Sequence, residues 1–470
     1  MACQVSKTIS KDLLDKAIKK CTITLPRNFN QRFSRKIKCF QETKNYYYFP
    51  KTIGDYVGKY VAPEPKYDTI EKVSLTYKLY DGNDQKDIDP EKVKDQVQVS
   101  EILKDRLRKN GVALLHASTG FGKTKILIHL LNEVGFATVI LCHSNKVRLQ
   151  WEAVLRANDF FVNMGGDPAN KNFHIYINTP GEMKKFTRAQ LSRYGLVIVD
   201  ELHVYSECLV TSALLQFTPR FVIGASATPD TKTGTDRAFP LYYGLRSDWI
   251  VRMLKKDFIV YQVKTTFKIQ VEKRGNMEPH LEALKIYYNI PELYELVGKI
   301  IEIIGDRRCM VMSGLKEEGC DKLRDYFDKS KFSDYTYFAG TEDKYDNTKK
   351  VLLTNSSKCS YGFDDQGLSV LIFLHDTLDI RQAEGRARGE DFFIFDICHP
   401  REQQVKHASA RKKWYKERGG EVIQVKIEDI SSIIVPSEEE VKRLKEKKPL
   451  KKSRLLRTSK VNVSPVRRRK

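Results

Sequence analysis

The chain is 470 residues long and 41% apolar, enough for about three domains with cores of their own. Its 82 Lys and Arg outnumber 60 Asp and Glu, and the net charge of +22 predicts a polyanionic partner, nucleic acid ahead of a membrane surface. No two of the nine cysteines stand at C-x-x-C spacing, which excludes a zinc knuckle or a disulfide framework and predicts reduced thiols. No signal-peptide core opens the sequence, and no apolar run approaches the roughly 18 residues of a membrane span. The expectation is a soluble intracellular protein with no membrane partner.

Residues 1 to 90 carry no interpretable motif and read as an accessory region. Tyr46, Tyr47, Tyr48 and Phe49, followed by Tyr56 and Tyr60 with lysines interleaved, could stack bases, but read first as the half-buried face of a small β-domain. Residues 64–89 read as a surface connection. From 91 to 110 the pattern is helical and charged. It holds Gln96 and Gln98, about 25 residues before a loop lysine, where many motor ATPases place an adenine-reading residue. Gln98 is the better placed; a solvated helix glutamine is the alternative.

Residues 114–131, LLHASTGFGKTKILIHLL, read as an apolar strand, a tight loop and a helix. Ala117, Gly122, Lys123 and Thr124 fit the phosphate-binding pattern, with Ala where a first Gly often stands. A loop folding over phosphates must bring its backbone N–H groups close to them. Ala117, Ser118, Thr119, Gly120, Phe121, Gly122, Lys123 and Thr124 are therefore the expected nucleotide contacts. The following helix aims its positive end at the same anion. Lys123 would reach the β and γ phosphates and the Thr124 hydroxyl would ligate Mg²⁺, so ATP and Mg²⁺ are the expected cofactors. An ordinary strand–helix turn is the alternative.

Strands and helices then alternate. Residues 112–116, 138–142, 173–178, 196–199 and 221–224 read as strands, and 124–134 and 146–156 as helices, the first stopped by Gly135. Apolar runs of this length, each followed by a loop and a helix, predict an α/β fold with a parallel sheet covered on both faces. Ligands bind such sheets beyond the carboxyl ends of the strands. The phosphate loop, Asp200-Glu201-Leu202-His203 and Ser226-Ala227-Thr228-Pro229 all follow strand ends. Asp200 could hold the Mg²⁺ that Thr124 also holds, and Glu201 could polarise a water for in-line attack on the γ-phosphate. A solvated Asp-Glu pair in a loop is the alternative.

Residues 230–290 read as a passage between domains, in which 258–271 alternate like an edge strand. A second alternating unit begins at Pro291, with helices over 291–304 and 315–327 and strands over 309–312, 351–353, 370–374 and 392–395. Its loops hold Gly362, Asp364 and the segment from Gln382 to Gly389, with Arg386 and Arg388. Arginines at a helix start suit fingers on a transferring phosphoryl group if they face the first domain's nucleotide. A basic helix on nucleic-acid phosphates is the alternative. A charged helix over 401–418 and a short strand over 421–425 follow. The end of the chain is basic, poor in apolar residues and expected to be disordered and to bind phosphate backbones.

Taken together, these stretches resemble a superfamily 2 helicase over roughly residues 95–400. The segment from His116 to Thr124 is similar to motif I. Asn145 with Gln150-Trp151 resembles motif Ia, and Thr179-Pro180-Gly181 motif Ib. Asp200 to His203 looks like the DExH form of motif II, and Ser226-Ala227-Thr228 like motif III. Gly362-Phe363-Asp364 resembles motif V, and Gln382 to Arg388 motif VI. Within the superfamily the wording is most like the poxvirus transcript-release helicase and its relatives in iridovirus-type large DNA viruses. One departure stands out: Arg386 and Arg388 are two apart where motif VI usually spaces its arginines three apart, a pattern nearer a few duplex-RNA-sensing relatives. Arg388 is the favoured finger.

The resemblance implies two tandem RecA-like domains with parallel sheets, a small N-terminal region and a basic C-terminal tail. The implied spans are 1–90 for the accessory region, 91–245 for the ATP-binding domain and 246–290 for a connection. The second domain would span 291–400, a helical extension 401–436 and the tail 437–470. Lys123, Asp200, Glu201, Arg386 and Arg388 would be catalytic, and Gly362 and Asp364 would join the nucleotide contacts. His203, Ser226, Thr228 and Gln382 would couple the sites, and Asn145, Gln150, Thr179 and Gly181 would hold nucleic acid. The implied activity is ATP-driven movement on, or unwinding of, DNA ahead of RNA. A transcription-machinery partner and a place in host cytoplasm, nucleus or virion go with a viral role. An RNA helicase, or a binding scaffold with a vestigial ATPase, is the alternative.

Overall fold

The computed structural model describes residues 2–26, 34–79, 90–204, 207, 209–231, 233–252, 258–271, 279–342, 344–359, 365, 367–374, 376, 380 and 392–436. The chain divides into two units, Met1–Leu254 and Lys255–Lys470. In the first, β1 (Ala2–Ser6), β2 (Thr22–Thr24), β3 (Lys36–Lys38), β4 (Gln41–Glu42) and β5 (Tyr46–Pro50) precede the helix Pro90–Asn110. Then come β6 (Val112–Ala117), β7 (Thr138–Leu141), β8 (Val162–Met164), β9 (Ile175–Asn178), β10 (Leu196–Asp200), β11 (Phe221–Ser226) and β12 (Ile250–Arg252). These form a parallel sheet in the order β12-β6-β11-β10-β7-β9-β8.

Strands paired on both sides and covered on both faces need apolar residues throughout, and every residue of β10 is buried. Alternate residues of β6 enter different cores. Val112 and Leu114 face one, while Ala113, Leu115 and Ala117 face the other. Helices Pro90–Asn110, Lys123–Val134 and Asn145–Arg156 cover the second core through Leu103, Leu107, Ile126, Leu130, Val147 and Trp151. The first core is closed by Leu209, Leu214, Phe239 and Tyr243, with Phe239–Tyr243 packed on β6 and β11, and by the N-terminal Val5, Phe49, Ile53 and Val57. The accessory region is thus a covering layer of this unit.

The aromatic run lies in β5, which pairs antiparallel with β1 and β4. Tyr48 and Phe49 are buried, while Lys7 sits 3.9 Å over the Tyr47 ring and Arg188 3.9 Å over that of Tyr48. The half-buried sheet face is therefore the reading that fits. Residues 64–79 form a strap rather than a free surface connection. Asn132 accepts from the Val73 N–H at 3.0 Å and donates to its carbonyl at 2.9 Å. Asn158 accepts from the Thr76 backbone at 2.7 Å, and Arg193 pairs with Asp68 at 2.7 Å.

The second unit has β13 (Phe258–Lys264), β14 (Cys309–Ser313), β15 (Tyr335–Phe338), β16 (Val351–Asn355), β17 (Val370–Phe373), β18 (Phe392–Cys398) and β19 (Gly420–Lys426). They form a parallel sheet in the order β15-β16-β14-β17-β18-β13-β19. This corrects the edge-strand expectation for 258–271: β13 is interior, between β18 and β19. Its alternation separates two cores, Ile259, Tyr261 and Val263 from Phe258 and Val260, and not core from solvent. The stretch expected to connect the domains thus gives β12 to one sheet and β13 to the other. The single helix expected over 315–327 is instead a π-helical turn, Lys316–Asp321, followed by the helix Lys322–Lys329.

The helix Glu402–Glu417 is fastened to this sheet by buried charge. Arg411 pairs with Asp396 at 2.9 Å and Asp376 at 3.3 Å, and His407 Nδ1 lies 2.9 Å from Asp376. Together with β19 it belongs to the body of the second unit. The tail 437–470 lies outside the described residues. Among the described residues no helix is long and apolar enough to cross a membrane, and Cys3, Cys21, Cys39, Cys142, Cys309, Cys320 and Cys398 are buried and free.

Replacing Asn132 with Ala leaves the Val73 N–H and carbonyl without their partner. Urea unfolding is expected to show a loss of about 2–3 kcal/mol. A loss below about 0.5 kcal/mol would mean that the strap adds nothing to the fold.

Candidate nucleotide site

All strands of a parallel sheet end on the same side, so the loops after β6, β10 and β11 share one edge. The register sets His116 beside Ser226, and Ala225 beside Asp200. The phosphate loop leaves β6 through left-handed Gly120 (φ 81°) and Gly122 (φ 93°), where a side chain would be strained. Gly122 caps the helix Lys123–Val134, and left-handed Gly135 ends it.

Two contacts brace the loop. The Ser118 N–H donates to the Arg252 carbonyl at 3.0 Å, and Gln96 Nε2 donates to the Phe121 carbonyl at 2.7 Å. Of the two glutamines, Gln96 therefore touches the loop and Gln98 does not. The buried stripe of the helix runs through Gln96, Val99, Ser100, Leu103 and Leu107, and Gln98 is exposed off that stripe. Ala117, Ser118 and Phe121 are buried; Thr119 and Thr124 are half-buried. Lys123 Nζ donates to the Ala117 carbonyl at 3.1 Å and lies 3.9 Å from Glu201 Oε1.

Asp200 ends β10 with each carboxylate oxygen engaged. Trp151 Nε1–H donates to Oδ2 at 2.9 Å and the Glu201 N–H to Oδ1 at 3.0 Å. Burial, then the like charge of Glu201, pushes its carboxyl up to about 6, against the Trp151 hydrogen bond and the Lys123 charge. Glu201 has φ 46°, a left-handed conformation that costs a non-glycine residue roughly 1 kcal/mol. A network lies behind it. His203 Nδ1 is 2.8 Å from Ser226 Oγ and 3.5 Å from Glu201 Oε2, and Thr228 N–H donates to Ser226 Oγ at 2.9 Å. His116 Nε2 lies 3.2 Å from the Ala227 carbonyl.

Lys123, Asp200, Glu201, His203, Ser226 and Thr228 are thus brought together. Asn145 opens the helix after β7, exposed, behind the Ser144 cap. Gln150 is exposed on that helix, Thr179 caps the turn Pro180–Met183 after β9, and Gly181 is exposed there. Gly362, Asp364, Gln382, Arg386 and Arg388 lie outside the described residues. Sequence reasoning put Trp151 in motif Ia, His116 in motif I and Gln96 among the candidate adenine readers, but it did not foresee the bonds these side chains make here. The available signal for Trp151 was its place on the apolar stripe Val147, Trp151, Leu155. The donor set suits Mg²⁺, because the Thr124 hydroxyl and the Asp200 carboxylate are hard oxygen ligands and a carboxylate disfavoured by burial gains from a cation.

The raised Asp200 value fixes a sign. Its carboxyl titrates at about 6 in the fold, against about 3.9 in an unfolded chain. The folded state therefore holds the proton more tightly, and stability of the ligand-free protein falls as pH rises through that window. Asp200→Asn removes the charge. Its stability relative to the parent is expected to grow by on the order of 2 kcal/mol between pH 4 and pH 8. A difference that stays flat with pH in thermal melts would refute this.

The family model described as Type III restriction enzyme, res subunit, matches residues 90–231. Putative helicase 161L of Invertebrate iridescent virus 6 is 27% identical over 361 residues, covering 69% of this chain and 80% of that protein. Probable helicase D10 of Escherichia phage T5 is 22% identical, over 54% of this chain and 58% of its own length. Putative ATP-dependent RNA helicase QP509L of African swine fever virus is 26% identical, over 30% of each. The two parallel sheets form α/β domains in tandem, and the family match together with these viral helicases makes the chain similar to the superfamily 2 helicases.

Proposed function

We propose that the chain is a DExH-type enzyme that hydrolyses ATP with Mg²⁺ to move along or unwind DNA in viral transcription. The observation that carries this reading is Lys123, which lies between the Ala117 carbonyl and Glu201 on the edge where Asp200 also ends its strand. Lys123 would exchange those partners for the β and γ phosphates. Thr124 and Asp200 would hold Mg²⁺, which offsets phosphate charge when bound. Glu201 would orient the attacking water.

His203, Ser226 and Thr228 are assigned to coupling, because they bond to one another beside Glu201. Asn145, Gln150, Thr179 and Gly181 are assigned to the nucleic-acid backbone, since they follow β7 and β9 near the same edge. Gln96 joins the nucleotide contacts in place of Gln98. Gly362 and Asp364 keep the nucleotide-contact role, Gln382 the coupling role, and Arg386 and Arg388 the finger role that the resemblance implies. An RNA track is the second reading, favoured by the name of the African swine fever virus relative and by the spacing of Arg386 and Arg388.

ATP hydrolysis by the full chain is expected to rise with duplex or single-stranded DNA more than with RNA, and to be lost in Lys123→Ala. Turnover indifferent to every nucleic acid would sink the motor reading, and stimulation by RNA alone would move it to the second track. Glu201→Gln is expected to bind ATP normally and to turn over about 10²–10⁴-fold more slowly. Near-normal turnover would remove Glu201 from the reaction.

A further inference from the structure

We propose that the two-stranded ribbon of β2 and β3 is a second nucleic-acid contact, which grips the phosphodiester backbone with Lys36 and Lys38. The proposal rests on the nucleic-acid reading above and gives the N-terminal region a task. β2 and β3 pair antiparallel with Thr22 opposite Lys38, Ile23 opposite Ile37 and Thr24 opposite Lys36. Opposite residues share a face. Ile37 is buried in the first core, which leaves Lys36 and Lys38 exposed on the other face, beside exposed Thr24 and half-buried Thr22. Residues 26–38 contain five Lys or Arg and no Asp or Glu. The ribbon is entered from the helix Lys11–Lys20, whose last turn adds Lys19 and Lys20. A cationic strand face of this kind has the charge to meet phosphate oxygens of a nucleic-acid backbone.

Its seat supports the assignment. Arg35, at the start of β3, pairs with Glu207, which follows the Asp200-Glu201 segment. Arg237 Nη1 donates to the Thr24 carbonyl at 3.0 Å, and Gly234 packs against Pro26 with no room for a side chain. Both Gly234 and Arg237 follow Ser226-Ala227-Thr228. The ribbon is therefore fixed to the chain segments that leave the carboxyl edge, the side on which such sheets bind ligands.

The test is Lys36→Gln/Lys38→Gln in the full chain, with affinity for duplex DNA, single-stranded DNA and RNA followed by fluorescence anisotropy from about 50 to about 200 mM salt. Both side chains are exposed, so the melting temperature should match the parent. A control pair, Lys299→Gln/Lys329→Gln, removes the same charge from exposed positions late in the helices that lead into β14 and β15, at the amino edge of the other sheet. The ribbon variant is expected to bind about 10- to 100-fold more weakly at low salt, with a salt slope shallower by about 2. The control should keep its slope. The polymer on which the loss appears names the source of the backbone. An unchanged slope on all three polymers, or an equal loss in the control, overturns the proposal. Absence of binding by the parent chain would instead refute the nucleic-acid reading itself.

Discussion

The site depends on β6, β11 and β10 running parallel and side by side. Parallel neighbours cannot be joined by a hairpin, so each strand is followed by a return across a face of the sheet. The loops that begin those returns all lie on one edge. A phosphate loop, an acidic pair and a hydroxyl-rich turn, more than a hundred residues apart from first to last, meet there through backbone pairing alone. The strands can pack this way because β10 is buried throughout, and the same burial makes Asp200 a costly carboxylate. Trp151 and the Glu201 N–H offset part of that cost and fix the direction of both oxygens.

The electrostatics of the edge follow from this placement. Lys123 stays 3.9 Å from Glu201 and gives a hydrogen bond to the Ala117 carbonyl. It is held loosely enough to be claimed by a more highly charged anion. The loop around it is not loose. Gln96 and the end of β12 fasten its backbone at two points, so its N–H groups need little reordering to meet a phosphate. Behind Glu201, the His203–Ser226–Thr228 bonds tie the acidic turn to the end of β11. A shift of the Glu201 carboxylate would disturb the strand next to it.

Much of this was legible in the sequence, for a physical reason. Doubly covered parallel strands leave continuous apolar runs, and β6, β7, β9, β10 and β11 were all readable from them, as were the loops at their ends. The misses have physical reasons too. β8 is a short edge strand, Val-Asn-Met, with no strand signal, whereas β15, also at an edge, is made of strand-forming residues and was missed for its shortness. β13 alternates between two cores, a pattern that an edge strand also produces. Gln98 was preferred to Gln96 because spacing to the lysine was weighed and the buried stripe of the helix was not. Arg411, His407, Asp376 and Asp396 looked like ordinary charges on a solvated helix and in loops. Only the fold reveals that they neutralise one another in the interior.

The N-terminal residues were the least legible, because they carry no motif and their apolar residues are dispersed among charges. Their packing explains why they cannot be an independent module. Val5, Phe49 and Val57 extend the core that Val112, Val139 and Val199 share with Leu214, Phe239 and Tyr243, as an outer layer over the short helices on that face. Removing the region would expose Phe239, Tyr242 and Leu214, which lie between it and the sheet. The same layer carries β2 and β3 to the turns beyond Glu201 and Thr228, through Arg35, Thr24 and Pro26. A contact made by the ribbon is therefore passed to the turns that follow the β10 and β11 ends of the sheet.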